Sequence, residues 1–393
     1  MTGDAPSLAP RAERLREIAG YFLKLGSMGF GGPVALVGQM ERELVAGRNW
    51  LSREEMREAV ALCQTMPGPL AIQVGIYIAW LRGGQLGAWV GGWCFILPNF
   101  LIVAALAALY VEFGGLPWMT AVFYGVSPAV IALILHSTWR LAKLGMEDRI
   151  QAVIALAAFL VTVVLQAEVA AIFLIAGVFG VLWYGTPFRG SPPPALLAVV
   201  PIAAGPQAPS LPLLGKLLGF FLKAGSLTFG SGLVIVPFLE KGLVQETGWL
   251  DERQFLVAVA IGMVSPGPVV ITATFVGFLV AGFWGSVAAT IGIFLPSFGF
   301  VLVGAPVLTR YRGNANVKGF VKGAFAAAIG TIAGASILLG KIAVGDWLTA
   351  VIVIASLVAL FRWKIGNPTL MAAAAVIGLI AFPLLQPDWV FVR

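Results

Sequence analysis

Displaced against itself by 199 residues, the chain meets a second copy of its own pattern, and a duplication limits every fold it can adopt. Phe22-Leu23-Lys24 aligns with Phe221-Leu222-Lys223, Gly26-Ser27 with Gly225-Ser226, and Phe30-Gly31 with Phe229-Gly230. Trp50-Leu51 aligns with Trp249-Leu250, and Pro67-Gly68-Pro69 with Pro266-Gly267-Pro268. After a one-residue gap the offset of 198 pairs Leu97-Pro98-Asn99-Phe100 with Leu295-Pro296-Ser297-Phe298, Lys143 with Lys341 and Asp148 with Asp346. The expected division is a basic N-terminal segment (1–19), a first repeat (20–184), a Pro-rich linker (185–218), a second repeat (219–385) and a tail (386–393).

Of the 393 residues 59% are hydrophobic and only 11% charged, whereas a soluble domain is about a quarter charged. Each repeat holds six apolar segments, and twelve segments of about 20 residues use about 240 residues, nearly the whole apolar content. The expected fold is an all-α polytopic membrane protein of two homologous halves, each with five to six helical segments. No length is left for a separate soluble catalytic or nucleic-acid-binding domain. The net charge of +7 sits in short loops, where Lys and Arg encode orientation. Cys63 and Cys94 lie in apolar segments without CxxC spacing, so they read as small buried side chains rather than a disulfide or metal site. Residues 1–17 lack the apolar core of a removable signal peptide. There is no GxxxxGK[ST] loop for ATP. No metal and no cofactor is expected.

The first repeat's segments centre on 20–40, 58–81, 86–110, 118–139, 150–166 and 169–184. In both repeats the first is dense in Gly and Ser (GSMGFGGP, GSLTFGSG) and the second is cut by Pro-Gly-Pro. Backbone freed by such breaks cannot face lipid and must be buried in protein or line a wet cavity. Loop charges run in opposite phase: Arg140, Lys143 and Arg149 follow the fourth segment of the first repeat, while Arg310, Arg312 and Lys318 follow the third segment of the second. This predicts repeats inverted relative to one another, with the Gly-rich segment re-entrant and five segments crossing. That scheme puts the basic N-terminus and Arg42, Arg48, Arg53 and Arg57 on the side opposite Arg140. A topology in which the linker or a broken segment crosses once stays open.

Inverted repeats with interrupted helices are the build of a secondary transporter, with a substrate site near mid-membrane where the repeats meet. The first candidates are Pro67, Gly68 and Pro69 with Ser265, Pro266, Gly267 and Pro268. Such a break exposes a half-helix N-terminus that suits an anion, a plain proline kink being the alternative. Lys24 precedes Gly26, Ser27, Gly31 and Gly32, and Lys223 precedes Gly225, Ser226 and Gly230. A lysine beside glycine N–H groups and a hydroxyl would hold an oxyanion; a lysine snorkelling to the interface is the alternative. Asn99 and Ser297, each after a proline, are candidate donors along the pathway. Glu41-Arg42 and Glu240-Lys241 lie at a segment end as a solvated ion pair or gate. His136, the single histidine, aligns with Gly334 and reads as structural rather than as a proton relay. Acidic residues are nearly absent from the apolar segments, Glu58 being the nearest case. That speaks against acid/base chemistry and against a carboxylate cation site, and no catalytic residue is assigned.

In this order, GSMGFGGP, Trp50-Leu51 and LCQTMPGP, then GSLTFGSG, GWLDERQF, SPGP and IFLPSF, the motifs resemble the chromate ion transporter family in its long, two-domain form. The resemblance spans both repeats. It implies an inner-membrane protein that moves chromate outward and confers chromate resistance, with sulfate as the look-alike anion. Ser231 and Gly232 replace Gly32 and Pro33 in the second repeat, so the half-sites need not bind equally. The chemistry agrees: chromate is a tetrahedral dianion with acceptor oxygens only, which calls for donors and positive potential. At about 100 mV inside negative, the potential favours its exit by about 4.6 kcal/mol. The expected partners are a chromate- or sulfate-like oxyanion and the lipid bilayer, with no nucleic acid, and a homodimer is left open. A sulfate or other inorganic anion transporter is the alternative function; a membrane-embedded enzyme or scaffold lacks the acid, base or metal ligands it would need.

Overall fold

Apolar segments that are rich in Leu, Ala and Val become helices because backbone within a bilayer must satisfy its polar groups internally. The computed structural model describes residues 10–30, 32–64, 66–113, 116–165, 169–185, 213–230, 232–304, 314–363 and 365–385. Gly31, Ser231, the loop carrying Arg310 and Arg312, most of the linker and the tail lie outside the described residues. The first half runs α1 (Arg11–Met28), α2 (Gly32–Met40, continued by π-helical Glu41–Gly47), α3 (Arg53–Gln64), the two-residue strand β1 (Gly68–Pro69) and α4 (Leu70–Phe113). It ends with α5 (Pro117–Gly145), α6 (Arg149–Leu160, continued by Val161–Leu165) and α7 (Val169–Tyr184). The second half repeats the plan with α8 (Leu213–Ser226), β2 (Phe229–Gly230), α9 (Val236–Glu240, continued by Lys241–Glu246) and α10 (Glu252–Val264). Then come α11 (Thr272–Gly299, continued by Phe300–Gly304), α12 (Ala315–Ala343), α13 (Trp347–Arg362) and α14 (Asn367–Leu385).

The 44 residues of α4 are not one rod. Gly84 sits at φ 64°, ψ −156° and folds the first 14 residues back on the rest. A Cβ on Gly91 would lie 2.5 Å from that of Ala79, so the hairpin needs glycine both for its turn and for its close contact. Gly282 (φ 61°, ψ −155°) does the same in α11. Near the Gly84 turn Arg82 pairs with Glu17, its guanidinium lies 4.4 Å from the Trp50 ring centroid, and Arg48 covers Tyr21 at 5.3 Å. The start of α1, the end of the α2 stretch and the turn of α4 therefore share one end of the molecule. Both broken segments dip in and return, so four segments cross in each half rather than five. The reason is length: a break leaves pieces of at most 18 residues, about 27 Å, too short to span about 30 Å of hydrocarbon. Among the described residues five helices, α4, α5, α11, α12 and α14, are long and apolar enough to cross on length and composition alone; α6, α7 and α13 are shorter and apolar.

Equivalent helices of the two halves pack antiparallel. Trp89, five residues past Gly84, stacks on Phe298, sixteen past Gly282, at 4.6 Å, while Phe100 meets Phe283 at 6.0 Å. Equivalent crossing helices can be antiparallel neighbours only if their two-fold axis lies in the membrane plane, so the repeats are inverted. At about 1.5 Å per residue these contacts set the Gly84 and Gly282 turns about 25 to 31 Å apart, a bilayer's hydrocarbon thickness. The halves also interlock: α5 packs against α13 and α14, and α12 against α6 and α7. Small residues permit this, Ala121 and Gly125 meeting Ala374 and Gly378 just as Gly319 and Gly323 meet Gly180 and Ala176.

The inversion sorts the charges. Arg11, Arg14, Arg16, Arg48, Arg53, Arg57, Arg82, Arg140, Lys143, Arg149, Lys318, Lys322 and Arg362 gather at one end, hereafter the basic end; Lys216, Lys241, Arg253 and Lys341 lie at the other. The basic N-terminus and Arg140 thus share a side, because the second broken segment returns instead of crossing. Gly185 and Leu213, which flank the linker, stand at opposite ends. Single cysteines at Ser52 and Glu147 are therefore expected to react with an impermeant thiol reagent from one face of intact or everted vesicles, and those at Thr247 and Gly345 from the other. Labelling of Ser52 and Glu147 from opposite faces would restore the five-crossing scheme.

Candidate functional site

The four breaks converge between the halves. β1 pairs in parallel with β2, Gly68 opposite Phe229 and Pro69 opposite Gly230. The Gly68 N–H donates to the Thr228 carbonyl, and at the equivalent place the Gly267 N–H donates to the Gly29 carbonyl at 2.6 Å. Each half's Pro-Gly-Pro thus completes its backbone bonding on the other half's Gly-rich break. The prolines supply no donor, so the intervening glycine carries the bond, and its φ (128° at Gly68, 96° at Gly267) is one other residues rarely adopt.

Asn99 and Ser297 follow the prolines of the crossing helices and are both fully buried. Each points at the opposite half's break: a Cβ on Gly267 would lie 2.9 Å from Asn99 Nδ2, and one on Gly68 3.1 Å from Ser297 Oγ. Among the described residues Asn99 Nδ2 and Oδ1, Ser297 Oγ and the Oε1 of Gln73 are buried with no hydrogen-bond partner, while Gln73 Nε2 donates to the Pro67 carbonyl at 2.5 Å. Buried polar atoms are nearly always paired, so unsatisfied donors and acceptors gathered at one mid-membrane junction mark a place that can take a polar guest. Gln73 escaped the sequence reading because its repeat counterpart is Thr272, whose hydroxyl turns back to the Val269 carbonyl.

The lysines are placed otherwise. Lys24 is exposed, with Nζ 3.9 Å from Glu43, and Lys223 is half-buried with Nζ 5.5 Å from the Phe238 ring centroid. The hydroxyls beside them bond to their own helices, Ser27 to the Lys24 carbonyl (3.0 Å) and Ser226 to the Leu222 carbonyl (2.8 Å). Gly26 and Gly225 are helical packing positions against the backbone of Phe95 and Ile293. Ser265 donates to the Gly262 carbonyl at 3.4 Å, while Pro266 and Pro268 flank Gly267 in the break. Glu41 and Arg42 are exposed, whereas Glu240 is buried and accepts from Gln245 at 2.9 Å, with Lys241 half-buried. The structure therefore brings together Pro67, Gly68, Pro69, Asn99, Gly230, Gly267 and Ser297, and does not bring Lys24 or the Glu-Lys and Glu-Arg pairs to them.

A cavity of about 570 Å3 runs inward from the basic end to residues that flank the breaks. Its inner wall is Phe30, Gly32, Pro33, Leu233, Met263 and Val269, which flank breaks of both halves; nearer the basic end lie His136, Ser137, Trp139 and Arg140 of α5 opposite Phe361 and Gly366–Pro368. Among the described residues no carboxylate lines it. The equivalent face of the second half is shut: Gly334 lies against Thr162, and Ala335 and Leu339 are buried.

Two interlocked inverted repeats, four re-entrant breaks at mid-membrane and a cavity open toward one end define a multi-pass membrane transporter. The comparisons make it specific. The family model described as chromate transporter matches twice, at residues 16–181 and 215–379. A chromate transport protein of Cupriavidus metallidurans is 44% identical over 95% of this chain and 94% of its own. A probable chromate transport protein of Synechococcus elongatus is 41% identical over 94% and 96%, and a chromate transport protein of Pseudomonas aeruginosa 34% identical over 92% and 91%. No solved structure matches. This chain belongs to the chromate transporter family.

Asn99→Ala and Ser297→Ala remove unsatisfied buried groups, which alone would leave stability unchanged or higher. The expected result is an unchanged or raised melting temperature with transport lowered at least tenfold; parental transport would take both residues out of the site. Gly267→Ala, strained by its φ and crowded by Asn99, is expected to cost about 1–3 kcal/mol, read as a lower melting temperature.

Proposed function

We propose that this protein exports chromate, or an oxyanion of the same shape and charge, across the inner membrane by alternating access, and so confers chromate resistance. The cavity opening toward the basic end carries the directional part of this reading. Lys and Arg accumulate on the cytoplasmic side of membrane proteins, so this end is read as cytoplasmic and the cavity as the route by which a cytoplasmic anion reaches the breaks. The chromate transport proteins it resembles supply the anion. A lining without carboxylates suits a dianion, whose oxygens only accept hydrogen bonds.

In mechanistic terms the anion descends to the junction of the four breaks. There Asn99 Nδ2, the Ser297 hydroxyl and the backbone N–H groups freed by the glycine-rich breaks replace its water. The second half holds the closed arrangement of the same helices that the first half holds open. Exchange of these two arrangements would shut the cytoplasmic cavity and open its mirror image, which is alternating access in an inverted repeat. The membrane potential favours the dianion's outward movement.

In everted vesicles, whose cytoplasmic face is outward, the protein is expected to accumulate chromate faster when the interior is positive, without chemical conversion of the anion. Sulfate, molybdate and phosphate added in excess rank the substrates. If sulfate is carried and chromate is not, the substrate assignment is overturned; if neither moves, the transport reading itself falls.

A further inference from the structure

We infer that the mouth of the cavity is a cytoplasmic anion-collecting subsite built on one half only, in which Arg140, with Ser137 and His136 one turn deeper on α5, captures the oxyanion before it reaches the breaks. The inference rests on the transport reading and adds a residue and an asymmetry to it. His136 and Arg140 are four apart and Ser137 three from Arg140, so all three share one helical face, and that face lines the cavity. Arg140 is exposed at the mouth, whereas His136 and Ser137 are half-buried below it. His136 is held edge-on against Phe361 at 4.9 Å, so an aromatic ring walls the far side of the mouth. With no carboxylate in the lining, the guanidinium meets an incoming dianion in a partly desolvated funnel, where a unit charge acts more strongly than on open surface.

The second half cannot do the same. The repeat aligns His136, Ser137 and Arg140 with Gly334, Ala335 and Leu338, which offer neither charge nor hydroxyl. When the mirror-image cavity opens at the other end, the anion leaves past apolar side chains and is not held. Capture on one face and release on the other follow from this difference between otherwise equivalent helices.

The test is initial-rate chromate uptake at the cytoplasmic face of everted vesicles. Arg140→Gln is expected to raise KM about tenfold with kcat within twofold, and Arg140→Lys to recover most of the loss. High ionic strength is expected to raise the parental KM toward that of the variant, because screening removes the same attraction. A second readout does not depend on transport. With Cys63 and Cys94 replaced by alanine, Ser137→Cys should react faster with an anionic than with a cationic thiol reagent of equal size, and Arg140→Gln should abolish that preference. A parental KM and salt dependence in Arg140→Gln, or no reagent preference at Ser137→Cys, would overturn the inference and reduce Arg140 to an interfacial charge. Absence of chromate uptake by the parent would instead overturn the transport reading.

Discussion

A peptide group without a partner inside hydrocarbon costs several kcal/mol, and this chain breaks its helices four times at that depth. The glycine N–H of each Pro-Gly-Pro finds its acceptor in the other half. Gly68 bonds to Thr228 and Gly267 to Gly29, so each Pro-Gly-Pro is completed by the Gly-rich break of the other repeat. The crossing helices are drawn into the same junction, since Asn99 and Ser297 reach it from opposite halves. The junction, the interlock of α5 with α13 and α14, and that of α12 with α6 and α7 form one arrangement, in which the two-fold relation is required by backbone chemistry.

Helices in lipid gain little from burying apolar side chains against one another and associate by close packing instead. Here that packing rests on glycine and alanine at equivalent places in both halves. Two nearly equivalent packings of the same elements coexist, one closed around α12 and one opened beside α5.

Much of the site was legible because duplication acts as an internal control. Residues retained in both copies at a helix break, Pro67 to Pro69 with Pro266 to Pro268, and Asn99 with Ser297, point to a shared physical role, and all of them meet at the junction. Lys24 and Lys223 were retained equally, but Lys24 is exposed beside Glu43 and Lys223 lies over the Phe238 ring, a matter of rotation about the helix axis that spacing from a glycine does not reveal. Gln73 and Arg140 align with Thr272 and Leu338 in the second repeat, so a search for paired residues passes over them. The re-entrant course of the second broken segment was hidden for another reason: a hydropathy pattern is the same whether the chain continues past a Pro-Gly-Pro or turns back.

The sequence by itself determined an all-helical membrane protein, its two copies, the positions of its breaks and the family it resembles, because apolar run length, glycine, proline and repetition are local properties of a chain. Tertiary structure decided which segments cross, that the halves exchange helices, which polar groups are left unsatisfied at the centre and toward which end the cavity opens. These depend on how helices rotate and pack against a partner some 200 residues away, where the breaks in each half find the hydrogen bonds that their own sequence cannot provide.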